Sequence, residues 1–226
     1  MNRLTVLFIF GTRPEAIKLY PLVRQLRSDE RFRVRICATA QHRYMLDQVL
    51  AVFGVSPDHD LGVMEPDQTL ALSTSRMLAG LAPVIAQERP NLILVQGDTT
   101  TTLCGALSGF YERVPVGHVE AGLRTGDINQ PFPEEMNRIL VTKLRALHFA
   151  PTDWAAGNLR ADNIPERQIW VTGNTSIDAV LQVSELLSGG QLSPERNWST
   201  LSPKKKLILV TAHRRENFGP GLERIC

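Results

Sequence analysis

The feature that most constrains this chain is a repeated alternation: a short apolar run, a break at glycine or a polar residue, then a helix-like segment. Leu4 to Phe10 runs into Gly11, and apolar residues at helical spacing follow from Ala16 to Leu26. Phe32 to Thr39 alternates as a strand and leads through a polar loop to a helical stretch, Tyr44 to Phe53, closed by Gly54. Leu92 to Gln96 has the length and branching of a buried strand, Gly97-Asp98 ends it, and Thr99 to Thr102 open a helix that reaches Glu112. Val114 to Val119 is the next such strand. Further pairs follow at 146–150 with 152–159, and at 169–171 with 176–187. Strands alternating with helices argue for βαβ units and a parallel sheet. Between the second and third pairs, Ser56 to Asp67 reads as loop. Thr69 to Gln87 reads as one long helix that Gly80 and Pro83 should bend or interrupt.

In an open parallel sheet, the loops after the carboxyl ends of neighbouring strands converge on one crevice, where ligands bind. Asp98 follows one buried strand and Glu120 the next, so the two are expected to face each other across one site, with Glu134 close by. Thr12-Arg13-Pro14-Glu15 has the spacing of a capping box with proline in the first turn. Backbone N–H groups and the helix dipole favour an anion at such a strand-to-helix turn, which makes Arg13 a candidate anion contact. Bland readings stand beside these: Asp98 as a plain helix N-cap, Arg13 as a surface arginine, Lys18 as a solvated lysine, and Glu134 as an acid stabilised by a helix N-terminus.

Composition narrows the class. In 226 residues, 25 basic and 23 acidic side chains leave a net charge of +2, and 43% hydrophobic with 21% charged content suits a globular chain with a sizeable core. No long like-charge block points to a nucleic-acid partner; Lys204-Lys205-Lys206 reads as a solvated strand entry. No segment has the length of a membrane span. Cys37, Cys104 and Cys226 lack CxxC spacing; the first two, in apolar segments, read as reduced core thiols, and a cytoplasmic protein is expected. His42, His59, His118 and His148 show no metal-ligand spacing, so no metal is expected; no other cofactor is assigned. Ser188 to Pro203 looks like a linker or exposed loop, after which a strand is expected from Leu207 to Thr211.

The loops are specific enough for a family resemblance. Phe10-Gly11-Thr12-Arg13-Pro14-Glu15-Ala16-Ile17-Lys18, Thr39-Ala40-Gln41-His42-Arg43, Gly97-Asp98-Thr99-Thr100-Thr101-Thr102 and His118-Val119-Glu120-Ala121-Gly122-Leu123-Arg124 closely resemble the non-hydrolysing UDP-N-acetylglucosamine 2-epimerases. So do Pro133-Glu134-Glu135, Gly173-Asn174-Thr175 and Thr211-Ala212-His213-Arg214-Arg215-Glu216. The resemblance implies an α/β, Rossmann-like parallel sheet as the N-terminal domain of a GT-B arrangement. Residues 1–172 would form that domain, and 173–226 a linker helix and the start of an incomplete second one.

It also implies interconversion of UDP-N-acetylglucosamine and UDP-N-acetylmannosamine, usually by a homodimer. Asp98, Glu120, Glu134 and His213 take the catalytic positions. Arg13, Lys18, Asp98, Glu120 and His213 take the substrate-binding positions. Gln41, Gln68 and Glu134 match a regulatory sugar-nucleotide site, although Tyr44 and Asp67 stand where some members carry glutamine and arginine. Two rivals remain: a glycosyltransferase of the same architecture, and a non-catalytic fragment that binds a nucleotide or a partner.

Overall fold

The computed structural model describes residues 3–39, 43–63, 65, 67–144, 146–193, 201–202, 204–208 and 223–224. Seven strands form one parallel sheet: β1 (Leu4–Phe10), β2 (Phe32–Ala38), β3 (His59–Asp60), β4 (Leu92–Gln96), β5 (Val116–Val119), β6 (Ala146–Ala150) and β7 (Ile169–Val171). Their spatial order is β3-β2-β1-β4-β5-β6-β7. The helices are α1 (Arg13–Arg27), α2 (Arg43–Val52), α3 (Leu70–Glu88), α4 (Thr100–Tyr111), α5 (Glu134–Lys143), α6 (Asp153–Ala161) and α7 (Thr175–Ser188). The expected α/β, Rossmann-like alternation is what forms.

Strand order reverses between β1 and β4. From β1 the chain winds outward through β2, and from β4 it winds the other way through β5. Helices consequently cover both faces. Val6, Phe8 and Phe10 pack with Ala16, Leu19 and Val23 of α1 and Leu46 and Leu50 of α2. Leu7 and Ile9 pack on the other face with Met77 and Leu81 of α3, Cys104 of α4 and Val141 of α5. This two-sided burial explains the near-continuous apolar reading of β1. α7 lies back against α1. A third apolar cluster, Ala121, Ala150, Ala155, Ala156, Leu159 and Ile169, joins α6 to the far strands.

Three expectations change. The segment read as loop contains β3, which adds to the sheet edge by pairing Cys37 with His59 and Ala38 with Asp60; two residues are too short to leave a periodic trace. α3 is not interrupted. Gly80 has a packing role instead, since a Cβ there would come within 3.1 Å of the Leu61 side chain. Of the strand expected at 207–211, only Leu207 and Ile208 lie among the described residues; both are exposed and neither is in a strand. Cys37 and Cys104 are buried free thiols, as read, and burial pushes both up to about 12. No helix among the described residues is long and apolar enough to cross a membrane.

Candidate active site

The carboxyl ends of β1, β4 and β5 form the lip on which most of the candidate residues sit. Gln96, the last residue of β4, is buried and pairs in register with Val119 of β5. Gly97 then turns at φ +75°. Its N–H donates to Val119 O at 3.0 Å, and its carbonyl lies 2.7 Å from His118 Nε2. A carbonyl only accepts, so His118 carries its proton on Nε2. Burial, with Arg124 and Arg138 nearby, holds the His118 imidazolium pKa down to about 4 despite that bond.

Glu120 follows β5 directly and adopts φ +66°, a left-handed conformation that a glutamate rarely takes. The carboxylate is met by three segments remote in sequence. Lys18 Nζ of α1 donates to Oε2 at 2.5 Å, Gln96 Nε2 donates to the same oxygen, and Asn174 Nδ2 donates to Oε1 at 3.1 Å. Asn174 is itself fixed as the N-cap of α7, its Oδ1 accepting from the Ser176 N–H and hydroxyl. Lys18 is thus no simply solvated lysine.

Asp98 is not the N-cap of α4. Thr99 is, its hydroxyl accepting from Thr102 N–H. The Asp98 carboxylate turns instead to Arg138 of α5, whose Nε and Nη2 reach Oδ2 at 2.9 and 2.6 Å. Asn137 Nδ2 holds the Asp98 carbonyl at 2.8 Å. Arg138 Nη1 continues to Glu135 Oε2 at 2.8 Å, and Glu135 Oε1 accepts from Thr125 N–H and Gly126 N–H. Burial alone would raise the Glu135 carboxyl; the Thr125 amide, the Arg138 guanidinium and the Gly126 amide outweigh it and hold the carboxyl below its usual range. Arg138 is held more firmly protonated because Asp98 and Glu135 outweigh its burial.

Asp98 and Glu120 therefore share one lip, but they do not simply face one another. Asp98 is engaged from the face covered by α5, and Glu120 from the face covered by α1. Between them lies Gly97, where an added Cβ would sit 4.0 Å from Glu120 Oε2. Glu134 is the half-buried first residue of α5, and Arg13 is the exposed first residue of α1. Gln68 sits after β3, its Nε2 donating to Val63 O at 3.1 Å and its Oε1 accepting from Arg76 at 3.3 Å. Gln41 and His213 lie outside the described residues. Gln96, Asn137, Arg138 and Asn174 were not singled out from sequence; Asn174 alone lay in a recognised motif. No group of three or more metal-ligating side chains occurs among the described residues.

Fold and site together define a doubly wound α/β domain with charged side chains gathered at the carboxyl ends of its central strands, the end at which such sheets hold ligands. The family model for UDP-N-acetylglucosamine 2-epimerase matches residues 24–226. The UDP-N-acetylglucosamine 2-epimerase of Escherichia coli K12 is 53% identical over 98% of this chain, and that of Yersinia pestis 54% over the same share. The crystal structure of the Neisseria meningitidis UDP-GlcNAc 2-epimerase bound to UDP-GlcNAc superposes with a TM-score of 0.90 at 44% identity, covering 98% of this chain. The chain belongs to the UDP-N-acetylglucosamine 2-epimerase family. It spans 60% of the length of each of these three relatives.

Proposed function

We propose that this chain supplies the proton-transfer half of a UDP-N-acetylglucosamine 2-epimerase. UDP-N-acetylglucosamine and UDP-N-acetylmannosamine would interconvert by elimination and return of UDP. The observation that carries the reading is Glu120: a left-handed residue at a strand end, gripped by Lys18, Gln96 and Asn174. Unusual backbone held in place by so many partners is the pattern of a functional position. The C2 proton is not acidic in the intact sugar, because no carbonyl adjoins it. Breaking the C1–O bond first gives C1 cationic character and acidifies C2–H. UDP departs, a glycal is held, and UDP returns as a proton is delivered to the opposite face of C2. Glu120 and Asp98, on either side of Gly97, are the groups to move those protons, with Glu134 as a third carboxylate. Arg13, Lys18 and His213 are assigned to the diphosphate, whose developing charge cations stabilise. Gln41, Gln68 and Glu134 are assigned to a regulatory sugar-nucleotide site.

The proposed division puts residues 1–172 in the first domain of a GT-B pair and 173–226 at the entry to the second. A cytoplasmic homodimer completes the proposal. Incubation with UDP-N-acetylglucosamine in heavy water, using this chain joined to the remaining two fifths of a relative's length, tests the reaction. Deuterium at C2 supports it; transfer to an acceptor without C2 exchange would make the protein a glycosyltransferase. A second reading keeps sugar-nucleotide binding at this lip without turnover. Calorimetry with UDP on the 226-residue chain reads that directly.

A further inference from the structure

Where the strand order reverses, the two chains leaving the sheet part company, since α1 goes to one face and α4 to the other. The β1–β4 pairing itself runs only from Val6↔Leu92 to Phe8↔Leu94. Beyond it, one side chain reaches across. Glu15, in the first turn of α1 and 1% exposed, accepts from Gly11 N–H at 3.0 Å and Thr12 N–H at 2.7 Å through Oε2. Its Oε1 accepts from the Thr99 hydroxyl of the other loop at 2.7 Å and lies 3.3 Å from Thr102 Oγ1. Thr102 Oγ1 is only 2.5 Å from the Gln96 carbonyl, which fixes where its single proton goes. Of these bonds, a capping box needs from the Glu15 side chain only the one to Thr12 N–H. The Thr99 hydroxyl bond ties that box to the turn that carries Asp98.

We infer that Glu15 is a positioning residue that locks the α1 entry, with Arg13 and Lys18, to the Gly97–Thr102 turn, and so fixes Asp98 relative to Lys18 and Glu120. The inference rests on the reading of these groups as the epimerase site. Burial raises the Glu15 carboxyl against the bonds from Thr99, Gly11 and Thr12 that lower it; a glutamine of the same shape can accept from Gly11 and Thr12 and turn its amide toward Thr99 and Thr102.

Amide hydrogen exchange on the 226-residue chain tests the tether without turnover. In Glu15→Ala, protection should fall about tenfold at 98–102 as well as at 11–16, while Glu15→Gln stays close to the parent. Thr99→Asp provides a second variant: it keeps the N-cap acceptor of α4 but sets a carboxylate against Glu15, so protection should fall at 11–16, on the opposite loop. Changes confined to the substituted loop in each case would overturn the tether and leave Glu15 an ordinary cap. With the relative's second domain attached, Glu15→Ala should lower kcat for C2 exchange by about 10- to 100-fold with little change in KM, and Glu15→Gln should restore it. If the parent exchanges no C2 proton, the epimerase reading fails, and the exchange protection still decides the tether.

Discussion

Lys18 Nζ and Glu120 Oε2, 102 residues apart in sequence, meet at 2.5 Å and join α1 to the end of β5. The pair is partly shielded, with side-chain exposures of 25% and 13%, and Glu120 keeps two further donors in Gln96 and Asn174. A carboxylate held by three donors from three segments is oriented before any ligand arrives. Glu120→Gln preserves the shape and removes the proton acceptor. It should lower C2 exchange by about 10²- to 10⁴-fold, the range of a single proton-transfer group, while the UDP dissociation constant changes little. Exchange within twofold of the parent would remove Glu120 from the chemistry.

Arg138 holds two carboxylates, and they differ in depth. Asp98 is 26% exposed in its side chain, whereas Glu135 is 1% exposed. Replacing Arg138 with alanine leaves Glu135 buried with only the Thr125 and Gly126 amides as donors. Stripping one partner from a buried pair costs about 3–5 kcal/mol, and the partly exposed Asp98 side reduces the expected loss here to about 2–4 kcal/mol. Asp98→Asn, which keeps an acceptor for the guanidinium, should cost about 1 kcal/mol or less. Urea midpoints of the two variants check the order; equal losses would mean that Asp98, not Glu135, is the group Arg138 stabilises.

Much of this architecture was legible because the relevant signals are local. Apolar runs ending at Gly11 and Gly97 marked strand exits, Thr12-Arg13-Pro14-Glu15 marked a helix start, and the positions of Asp98 and Glu120 after adjacent strands placed them on one lip. What sequence could not show is which way a side chain turns once there. Asp98 precedes a run of threonines and has the chemistry of a cap, but Thr99 takes that role and frees Asp98 for Arg138, 40 residues on. Gln96 reads as the polar end of an apolar strand, yet its amide reaches Glu120. β3 was illegible for another reason: it is defined by pairing with Cys37 and Ala38, a relation that no pattern within His59-Asp60 encodes.

Two neutral histidines make the fold acid-sensitive. His118 and His148 are paired in register on β5 and β6, both are buried, and burial is the largest cause that brings each down to about 4 from an ordinary 6.5. In the unfolded chain both take up protons near pH 6.5; in the folded chain they resist until about pH 4. The stability they permit is therefore complete above pH 6.5 and is lost as pH falls toward 4, at up to about 1.4 kcal/mol per pH unit for each histidine. Unfolding midpoints measured between pH 7.5 and 4.5 should fall accordingly. His118→Gln, whose amide can still donate to the Gly97 carbonyl, should flatten the decline; an unchanged slope would assign the sensitivity elsewhere.

Gly122 sets the loop that carries Glu120, and two effects at that position can be separated. Its φ is +88°, and a Cβ there would lie 2.2 Å from the Ala155 carbonyl oxygen and 3.0 Å from Leu159 Cγ. The carbonyl of Gly122 also accepts from Asn158 Nδ2 at 2.9 Å, so the loop is bonded to the same helix, α6, that a side chain would strike. Gly126, four residues on, has φ +81° with no atom within 4 Å of a Cβ. Alanine at Gly126 faces only the left-handed backbone penalty, about 1–2 kcal/mol. Alanine at Gly122 adds a clash with backbone, which cannot rotate away, and should cost about 3–5 kcal/mol in all. Because Ala121 N–H is anchored to Phe149 O, relief must come from moving α6 or the Glu120 turn. Gly122→Ala should therefore lower C2 exchange in the fraction that stays folded, whereas Gly126→Ala should not. Equal destabilisation by the two substitutions would show that backbone conformation, and not the approach of α6, is what glycine serves at Gly122.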